Sequence, residues 1–197
     1  MSETRPQRRL SKADRHAQLL AEARELIREA GTNEFSLGRL AERAGVTKPL
    51  VYDHFGDRAG VFAELYREFE SRQRETLSAA LRDVRPELSD VSTVVAGAYI
   101  DCCLAEGREL ADVVAALAGS ATLTQLRRDA EEAYLGMCRD ALAPLSGPLD
   151  SAGLRAIIGA GNSLAQDALS GSTSASRARA ILARIISTIA TGTEHAL

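Results

Sequence analysis

The sequence predicts an all-α protein of about nine helices, and two observations support this prediction. Apolar residues recur at spacings of three and four along most of the chain, which is the period of a helix that buries one face. Clusters of glycine and proline separate the periodic segments, and no segment in the second half is convincing as a strand. Apolar side chains make up 45% of the 197 residues and charged ones 26%, as is usual for a globular protein.

The composition argues against several classes of protein. No apolar run approaches the roughly 18 residues that a membrane span requires. Residues 1–11 are polar and basic, with no apolar segment of a secretory signal behind them. We therefore expect a cytoplasmic protein with no membrane partner. The three cysteines, Cys102, Cys103 and Cys138, have no zinc-site spacing and favour small core positions over a redox-sensing thiol.

The first helix is predicted from Lys12 to Ala30, with Gly31 as its stop. Its apolar stripe is wide enough for a helix that faces a core. The stripe consists of His16, Leu19, Leu20, Ala23, Leu26, Ile27 and Ala30. Phe35 follows at the entrance to the next segment.

Two short helices joined by a tight turn are predicted between Ser36 and Phe55. Ser36 is placed to cap the first of them, and Gly45 follows it where a helix end favours positive φ. Thr47 is placed to cap the second, and Pro49 lies in its first turn, where the missing N–H costs no helical hydrogen bond. A short helix held in this way is typical of a helix-turn-helix, whose second helix can enter the major groove of DNA.

A longer helix is predicted from Arg58 to about Val84, with Asp57 as its N-cap and Pro86 as the break after it. Its N-terminal half completes the three-helix head, and its length is sufficient to link the head to the remaining helices. We therefore predict three regions: a flexible basic arm at 1–11, a DNA-binding head at 12–69 and a helical body for ligand binding and dimerisation at 70–197. The arm is equally compatible with a solvated tail and with a segment that lies along DNA.

The run AERAGVTKPLVYDHFGDRAGVF resembles the DNA-binding signature of the tetracycline-repressor (TetR) family of bacterial transcription regulators. This resemblance implies a homodimer on double-stranded DNA with a palindromic operator, and a small-molecule effector in the body that shifts the spacing of the heads. Repression is the usual outcome in the family. Gly38 and Pro49 depart from the usual family pattern. The residues expected to contact DNA are Ser36, Thr47, Lys48, Pro49, Leu50, Tyr52, His54 and Arg58, the last at a position where the family commonly has a phosphate-binding lysine.

Five further helices are predicted in the body, at about 89–105, 107–118, 122–143, 151–170 and 174–193. The last two have more apolar surface than one-sided packing requires. We therefore expect them to form a dimer interface, with a buried helix pair inside a monomer as the alternative. The expected interface residues are Ile157, Gly161, Leu164, Ile181, Ile185 and Ile189, with the small residues 159–161 allowing a close backbone approach.

An effector cavity is predicted among the helices of residues 89–170, lined by Tyr99, Tyr134 and Asn162. Asn162 lies on an apolar edge, where its amide needs hydrogen-bond partners. The alternative is that each tyrosine merely covers the core with its hydroxyl at the rim. Because these two tyrosines are the only aromatic residues of the body beyond position 69, we expect an aliphatic or mixed-polarity ligand rather than a flat cation.

Charge and residue types separate the candidate functions. The net charge is −3, with +2 in residues 1–58 and −5 in the remainder, which suits a head that meets phosphate. None of the histidines at 16, 54 and 195 is paired with a nucleophile in the body, so no catalytic residue, cofactor or metal is assigned and an enzyme is not expected. The alternative to a regulator is a DNA-binding architectural or protein-interaction module without an effector.

Overall fold

A computed structural model describes residues 10–116 and 121–192, and every regular element in those ranges is a helix. The helices are α1 Lys12–Ala30, α2 Leu37–Arg43, α3 Lys48–Phe55, α4 Arg58–Leu81, α5 Leu88–Ala116, α6 Ala121–Ser146, α7 Ser151–Ser170 and α8 Ala175–Gly192. Gly107 interrupts α5 with non-helical backbone angles (φ 66°, ψ −156°) and divides it into two arms. The described residues thus contain nine helical segments, and the predicted all-α class is confirmed.

The head is formed by α1, α2, α3 and the first half of α4 around one apolar core. Residues from all four helices are buried there, among them Leu19, Ile27, Leu40, Val51 and Phe62. Side chains cap three of these helices at the N-terminus: Ser11 on α1, Ser36 on α2 and Asp57 on α4 each accept a hydrogen bond from a backbone N–H. Thr47 occupies the N-cap position of α3 with extended backbone angles, but its side chain makes no capping hydrogen bond.

The junction of α3 and α4 depends on a glycine inside α4. A Cβ atom at Gly60 would lie 1.9 Å from the carbonyl oxygen of Phe55. Since that oxygen belongs to the backbone at the end of α3, it cannot move without shifting the helix. Gly60 therefore allows α4 to begin directly against α3.

The body has a second apolar core, formed by α5, α6, α7, α8 and the end of α4. The first arm of α5 passes through its centre, where Val95, Ala96 and Ile100 are at most 1% exposed. Residues 88–107 form the one described segment long and apolar enough to cross a membrane, with a mean hydropathy of 1.3. Their contacts with α4, α7 and α8 are those of a core helix.

Two predicted boundaries change in the structure. The long helix ends at Leu81 rather than near Val84. The helix expected to end at 143 continues through Pro144 to Ser146 and stops before Gly147, whose φ is 81°. Pro144 is tolerated because it lies in the last turn, exposed to solvent, where only one helical hydrogen bond is lost. The end of the segment predicted at 107–118, Gly119 and His195 lie outside the described residues.

Candidate functional site

The outer face of α3 presents the polar side chains that the sequence predicted. Thr47, Lys48 and Tyr52 are exposed, and the phenol of Tyr52 is 53% exposed. Val51 and Phe55 point the other way and are buried in the core of the head. Pro49 is also exposed, as expected for a residue in the first turn of a short surface helix. A single helix face thus combines hydroxyl, ammonium and phenol donors.

Gly38 in α2 leaves room for the side chain of Lys48. A Cβ atom at Gly38 would lie 3.2 Å from Cε and 3.4 Å from Nζ of Lys48. The stem of the lysine therefore passes over the α2 backbone, close to the hydroxyl of Ser36. Because this end of the lysine is flexible, the contact positions its ammonium group without immobilising it.

His54 lies at the edge of this surface, in contact with α1. Its Nδ1 is 3.3 Å from Nδ1 of His16, and the His16 ring also packs 4.9 Å from that of Phe55. Burial lowers the pKa of His54, and the nearby His16 and Lys12 lower it further. The structure thus places His54 half-buried at the contact of α1 and α3, rather than fully on the outer face of α3.

Two other residues predicted to contact DNA, Arg58 and Ser36, already have partners within the head. Arg58 donates a hydrogen bond to the carbonyl oxygen of Thr32 at 2.5 Å, and its guanidinium lies 4.8 Å from the ring centre of Phe62. The hydroxyl of Ser36 accepts the capping hydrogen bond from the N–H of Arg39 at 3.2 Å. Leu50 is half-buried. The contacts of Arg58 and Ser36 give these two residues a structural role.

A cavity of about 310 Å³ lies in the body between α4, α5, α6 and α7. Tyr99, Tyr134 and Asn162, the three residues predicted for an effector site, all line it. The hydroxyl of Tyr99 donates a hydrogen bond to Oδ1 of Asn162 at 2.8 Å. The rings of Tyr99 and Tyr134 meet edge to face, with their centres 5.5 Å apart. Their role as ligand contacts remains a prediction.

One face of α4 supplies cavity residues that the sequence analysis did not assign. They are Tyr66, Phe69, Glu70 and Gln73. With Tyr66 and Phe69 the wall contains four aromatic rings instead of two, which removes the basis of the expectation that the ligand is not a flat cation. The sequence did contain a signal: Gln73 is a polar residue midway between Phe69 and Leu77 on the apolar stripe of α4.

Glu70 has the least favourable environment of these residues. It is 7% exposed, and its Oε2 has no hydrogen-bond partner among the described residues. Burial raises the pKa of its carboxyl, and the hydrogen bond from Tyr66 opposes that rise. The hydroxyl of Tyr134, also on the cavity wall, is buried and equally without a partner in the described parts of the chain. Such orphaned polar groups are rare in native structures and mark positions where a ligand or water belongs.

The cysteines are not placed for redox sensing. Burial raises the pKa of Cys102 to about 11 and those of Cys103 and Cys138 to about 12. Their thiols therefore remain protonated near neutral pH, where the reactive species is the thiolate. Among the described residues, no group of three or more His, Cys, Asp or Glu side chains is arranged to hold a metal ion.

The predicted dimer surface divides into an inner and an outer part. Ile157 and Gly161 are buried within the chain, since a Cβ atom at Gly161 would lie 2.7 Å from the ring of Tyr99. This burial corrects their expected surface position. Gly159 is exposed and has no atom within 4 Å of a Cβ built there, so the close approach expected at 159–161 stays a prediction. Within the chain, α7 approaches α8 closely at Gly153, where an added Cβ would be 2.8 Å from Cγ2 of Ile189.

The outer part is a shallow apolar groove on α8. Ile181, Ile185 and Ile189 line it together with Arg184 and Thr188. Leu164 of α7 is half-buried, like the three isoleucines. Four of the six residues predicted at the interface therefore remain available at the surface of the chain.

The head matches known proteins in sequence, and the overall fold matches solved structures. A family model described as "Bacterial regulatory proteins, tetR family" matches residues 19–65. The chain is 32% identical over 82 residues to the HTH-type transcriptional activator FasR of Mycolicibacterium smegmatis, a match that spans 42% of this chain and 36% of that protein. It is 29% identical over 69 residues to the HTH-type transcriptional repressor BdcR of Escherichia coli, over 35% of each chain. These matches thus span about a third of the curated relatives.

Similarity over the whole fold comes from solved structures. A crystal structure of a putative TetR-family transcriptional regulator from Rhodococcus sp. superposes with a TM-score of 0.74 at 19% identity. The superposition covers 90% of this chain and 99% of that one. At this level of identity the similarity concerns the fold, and it includes the body as well as the head.

Proposed function

The chain is a member of the TetR family of bacterial transcriptional regulators, and from this premise we propose that it is a cytoplasmic homodimeric repressor released from a palindromic operator by a small molecule. Sequence-specific DNA binding is the activity of the head. Effector binding is the activity of the body. The observation on which the proposal rests is that one helix, α4, lines both the core of the head and the cavity of the body.

The proposed DNA-reading surface is the exposed face of α3. Thr47 and Tyr52 donate to phosphate oxygens, and Lys48 meets either a phosphate or the acceptors of guanine in the major groove. Two such heads in a dimer bind half-sites about 34–36 Å apart, or wider if the operator is spaced by more than one turn. His54 contributes at the edge, and Arg58 contributes only if it exchanges its bond to Thr32 for a phosphate.

The proposed coupling passes along α4. Val61, Phe62 and Leu65 belong to the core of the head, and Tyr66 to Gln73 in the next two turns face the cavity. A ligand that binds more tightly when α4 is in one position shifts the population toward the head spacing that goes with that position. The difference in affinity between the two positions sets the size of the shift. Because α4 is continuous from Arg58 to Leu81, displacement in the body reaches the start of the helix beside α3.

The DNA proposal is tested with the DNA upstream of the gene and two substitutions on α3. Tyr52→Phe removes only a hydroxyl and should weaken binding to all sequences while the head remains folded. Lys48→Ala should reduce the salt slope by about one if its partner is a phosphate, or relax one base position if its partner is guanine. Arg128→Ala, an exposed position on α6, is the matched control and should leave affinity unchanged. Affinity indifferent to both α3 substitutions would contradict the proposal.

Transcription from the same upstream DNA tests the sign of regulation. A repressor lowers transcription, and its effector restores it. The opposite response would make the chain an activator, as the relative FasR is named. DNA binding without sequence preference, and unaffected by any cavity ligand, would favour an architectural module instead.

A further inference from the structure

The cavity contains polar groups that restrict the chemistry of its ligand, and this inference rests on the proposed role of the body in effector binding. Glu70 is the most informative of these groups. Its side chain is 93% buried and one of its carboxylate oxygens has no partner among the described residues. Ionising a buried carboxyl is costly unless a cation or several donors arrive to stabilise it. Burial raises the pKa of Glu70 and the charges of Arg74 and Arg127 lower it, but its Oε2 still lacks a donor within the described part of the chain, which a positively charged group on a ligand would supply.

The other residues of the cavity wall also favour a positively charged ligand. Glu131 adds a second carboxylate to the lining, and Arg127, which is exposed, is the one cation among the described side chains that form it. The rings of Tyr66, Phe69, Tyr99 and Tyr134 surround the same space. Aromatic faces attract cations electrostatically, most strongly where water is excluded. An anionic ligand would instead add a further negative charge beside two carboxylates.

The size of the cavity limits the ligand further. A volume of about 310 Å³ is close to the lower end of the roughly 300–1,000 Å³ typical of ligand pockets. The apolar part of the wall includes Val114, Ile158, Ala165 and Leu169 besides the aromatic rings. A single ring or short alkyl body that ends in one polar group fits this combination of volume and surface.

We propose that the cavity binds a small amphipathic amine, with its apolar body among the four aromatic rings and its protonated nitrogen paired with the Glu70 carboxylate. The ammonium group supplies both the charge and the N–H donors for the orphaned oxygen. Charge-assisted hydrogen bonds of this kind are about twice as strong as neutral ones. Gln73, which is 4% exposed and lies one turn from Glu70 on the same wall, offers an amide oxygen to a second N–H.

The test compares three compounds that share a phenylbutyl body: phenylbutylamine, phenylbutanol and phenylpentanoate. Their affinities for the full chain are measured by titration calorimetry near neutral pH, in the absence of DNA. We expect the amine to bind at least about tenfold more tightly than the alcohol, and the acid to bind most weakly. An alcohol or acid that binds as tightly as the amine would overturn the proposal, and so would a chain that binds none of the three.

Glu70→Gln tests the assigned partner of the amine. This substitution keeps the shape of the side chain and removes its charge, so the preference for amine over alcohol should fall to within about threefold while affinity for the alcohol is retained. Glu64→Gln is the matched control, because Glu64 is on the same helix, pairs with Arg67 and is not part of the cavity wall. An amine preference that survives in folded Glu70→Gln would overturn the assignment. The comparison of compounds on the unmodified chain does not depend on this variant.

A second measurement separates this inference from the proposed function. The same compounds are added to the complex of the chain with its operator. If the amine binds through Glu70 but leaves DNA affinity unchanged, the ligand class stands and the effector role fails. If another compound releases the DNA while the amine does not bind, the effector role stands and the amine proposal fails.

Discussion

At the scale of single residues, Gly60 occupies a position that no other residue fits without movement of the backbone. A Cβ atom there would lie 1.9 Å from the carbonyl oxygen of Phe55. Gly60→Ala is therefore expected to lower the melting temperature and to weaken DNA binding, because α3 must shift to admit the methyl group. The ordinary preference of helices for alanine over glycine, about 1 kcal/mol, is too small to offset a backbone clash of this size.

Gly136→Ala provides the control for Gly60→Ala. Gly136 is inside α6, and no atom lies within 4 Å of a Cβ built there. The substitution should raise stability by about 0.5–1 kcal/mol through the entropy of the unfolded chain. Equal melting temperatures for the two alanine variants would show that the α3–α4 junction has more room than the structure indicates.

Glu70 predicts a pH dependence of stability in the absence of ligand. Burial raises the pKa of its carboxyl above the ordinary value of 4.5. Between pH 4.5 and the folded pKa, the Glu70 carboxyl is protonated in the folded chain and ionised in the unfolded chain. The free energy of unfolding therefore decreases as the pH rises from about 4.5 through the folded pKa. At neutral pH Glu70→Gln should be more stable than the unmodified chain, by about 1.4 kcal/mol for each unit by which the pKa is raised. The stabilities of Glu70→Gln and of the unmodified chain should become equal near pH 4.5.

Thermal melting across pH measures this effect. Glu64→Gln should show no comparable gain in stability at neutral pH, since Glu64 forms an exposed ion pair with Arg67. A Glu70→Gln variant that is less stable than the unmodified chain at neutral pH would mean that the carboxylate is already stabilised by its neighbours. Such a result would also remove the energetic reason for a cationic ligand.

At the scale of elements, the caps of α2 and α3 separate folding from DNA recognition. The hydroxyl of Ser36 accepts a hydrogen bond from the N–H of Arg39, whereas the hydroxyl of Thr47 makes no such bond at the start of α3. Ser36→Ala should therefore cost about 1 kcal/mol of stability, and Thr47→Ala much less. Thr47→Ala should weaken DNA binding, because its hydroxyl is exposed on the proposed reading face.

Chemical denaturation and operator binding, measured on both variants, check this contrast. The expected pattern is a destabilised Ser36→Ala variant and a Thr47→Ala variant of nearly normal stability with reduced affinity. A Thr47→Ala variant with normal affinity would exclude its hydroxyl from phosphate binding. A stable Ser36→Ala variant would instead show that water replaces the cap on α2.

The helices were predictable from the sequence because their signals are local. The first helix was predicted at Lys12–Ala30 and is observed there, since Gly31 ends it with a positive φ. Asp150 and Gly171 mark the ends of α7 in the same way. The cavity was predictable only in part: Tyr99, Tyr134 and Asn162 stand out on apolar stripes, but the α4 wall depends on how α5, α6 and α7 pack against it. The inward position of Gly161 was not predictable for the same reason: it depends on packing against the ring of Tyr99, which is far away in sequence.

At the scale of the whole molecule, the proposed function depends on how a second copy of the chain is held. The groove on α8 exposes part of Ile181, Ile185 and Ile189, although Ile189 also packs against Gly153 within the chain. Ile181 and Ile185 are thus the better positions for testing a contact between copies. A protein with two half-sites to fill requires that contact to fix the distance between its heads.

The double substitution Ile181→Glu and Ile185→Glu is expected to produce monomers and to reduce operator affinity at the same time, because buried like charges oppose association of the two copies of α8. Sedimentation measures the oligomeric state, and titration with a full operator and with a single half-site measures binding. The monomer should bind the half-site about as well as the unmodified chain does, since α3 packs in the core of the head and α8 in that of the body. Ala133→Glu, an exposed position on α6, serves as the control and should leave the dimer intact. A double variant that remains a dimer with full operator affinity would place the interface elsewhere on the body.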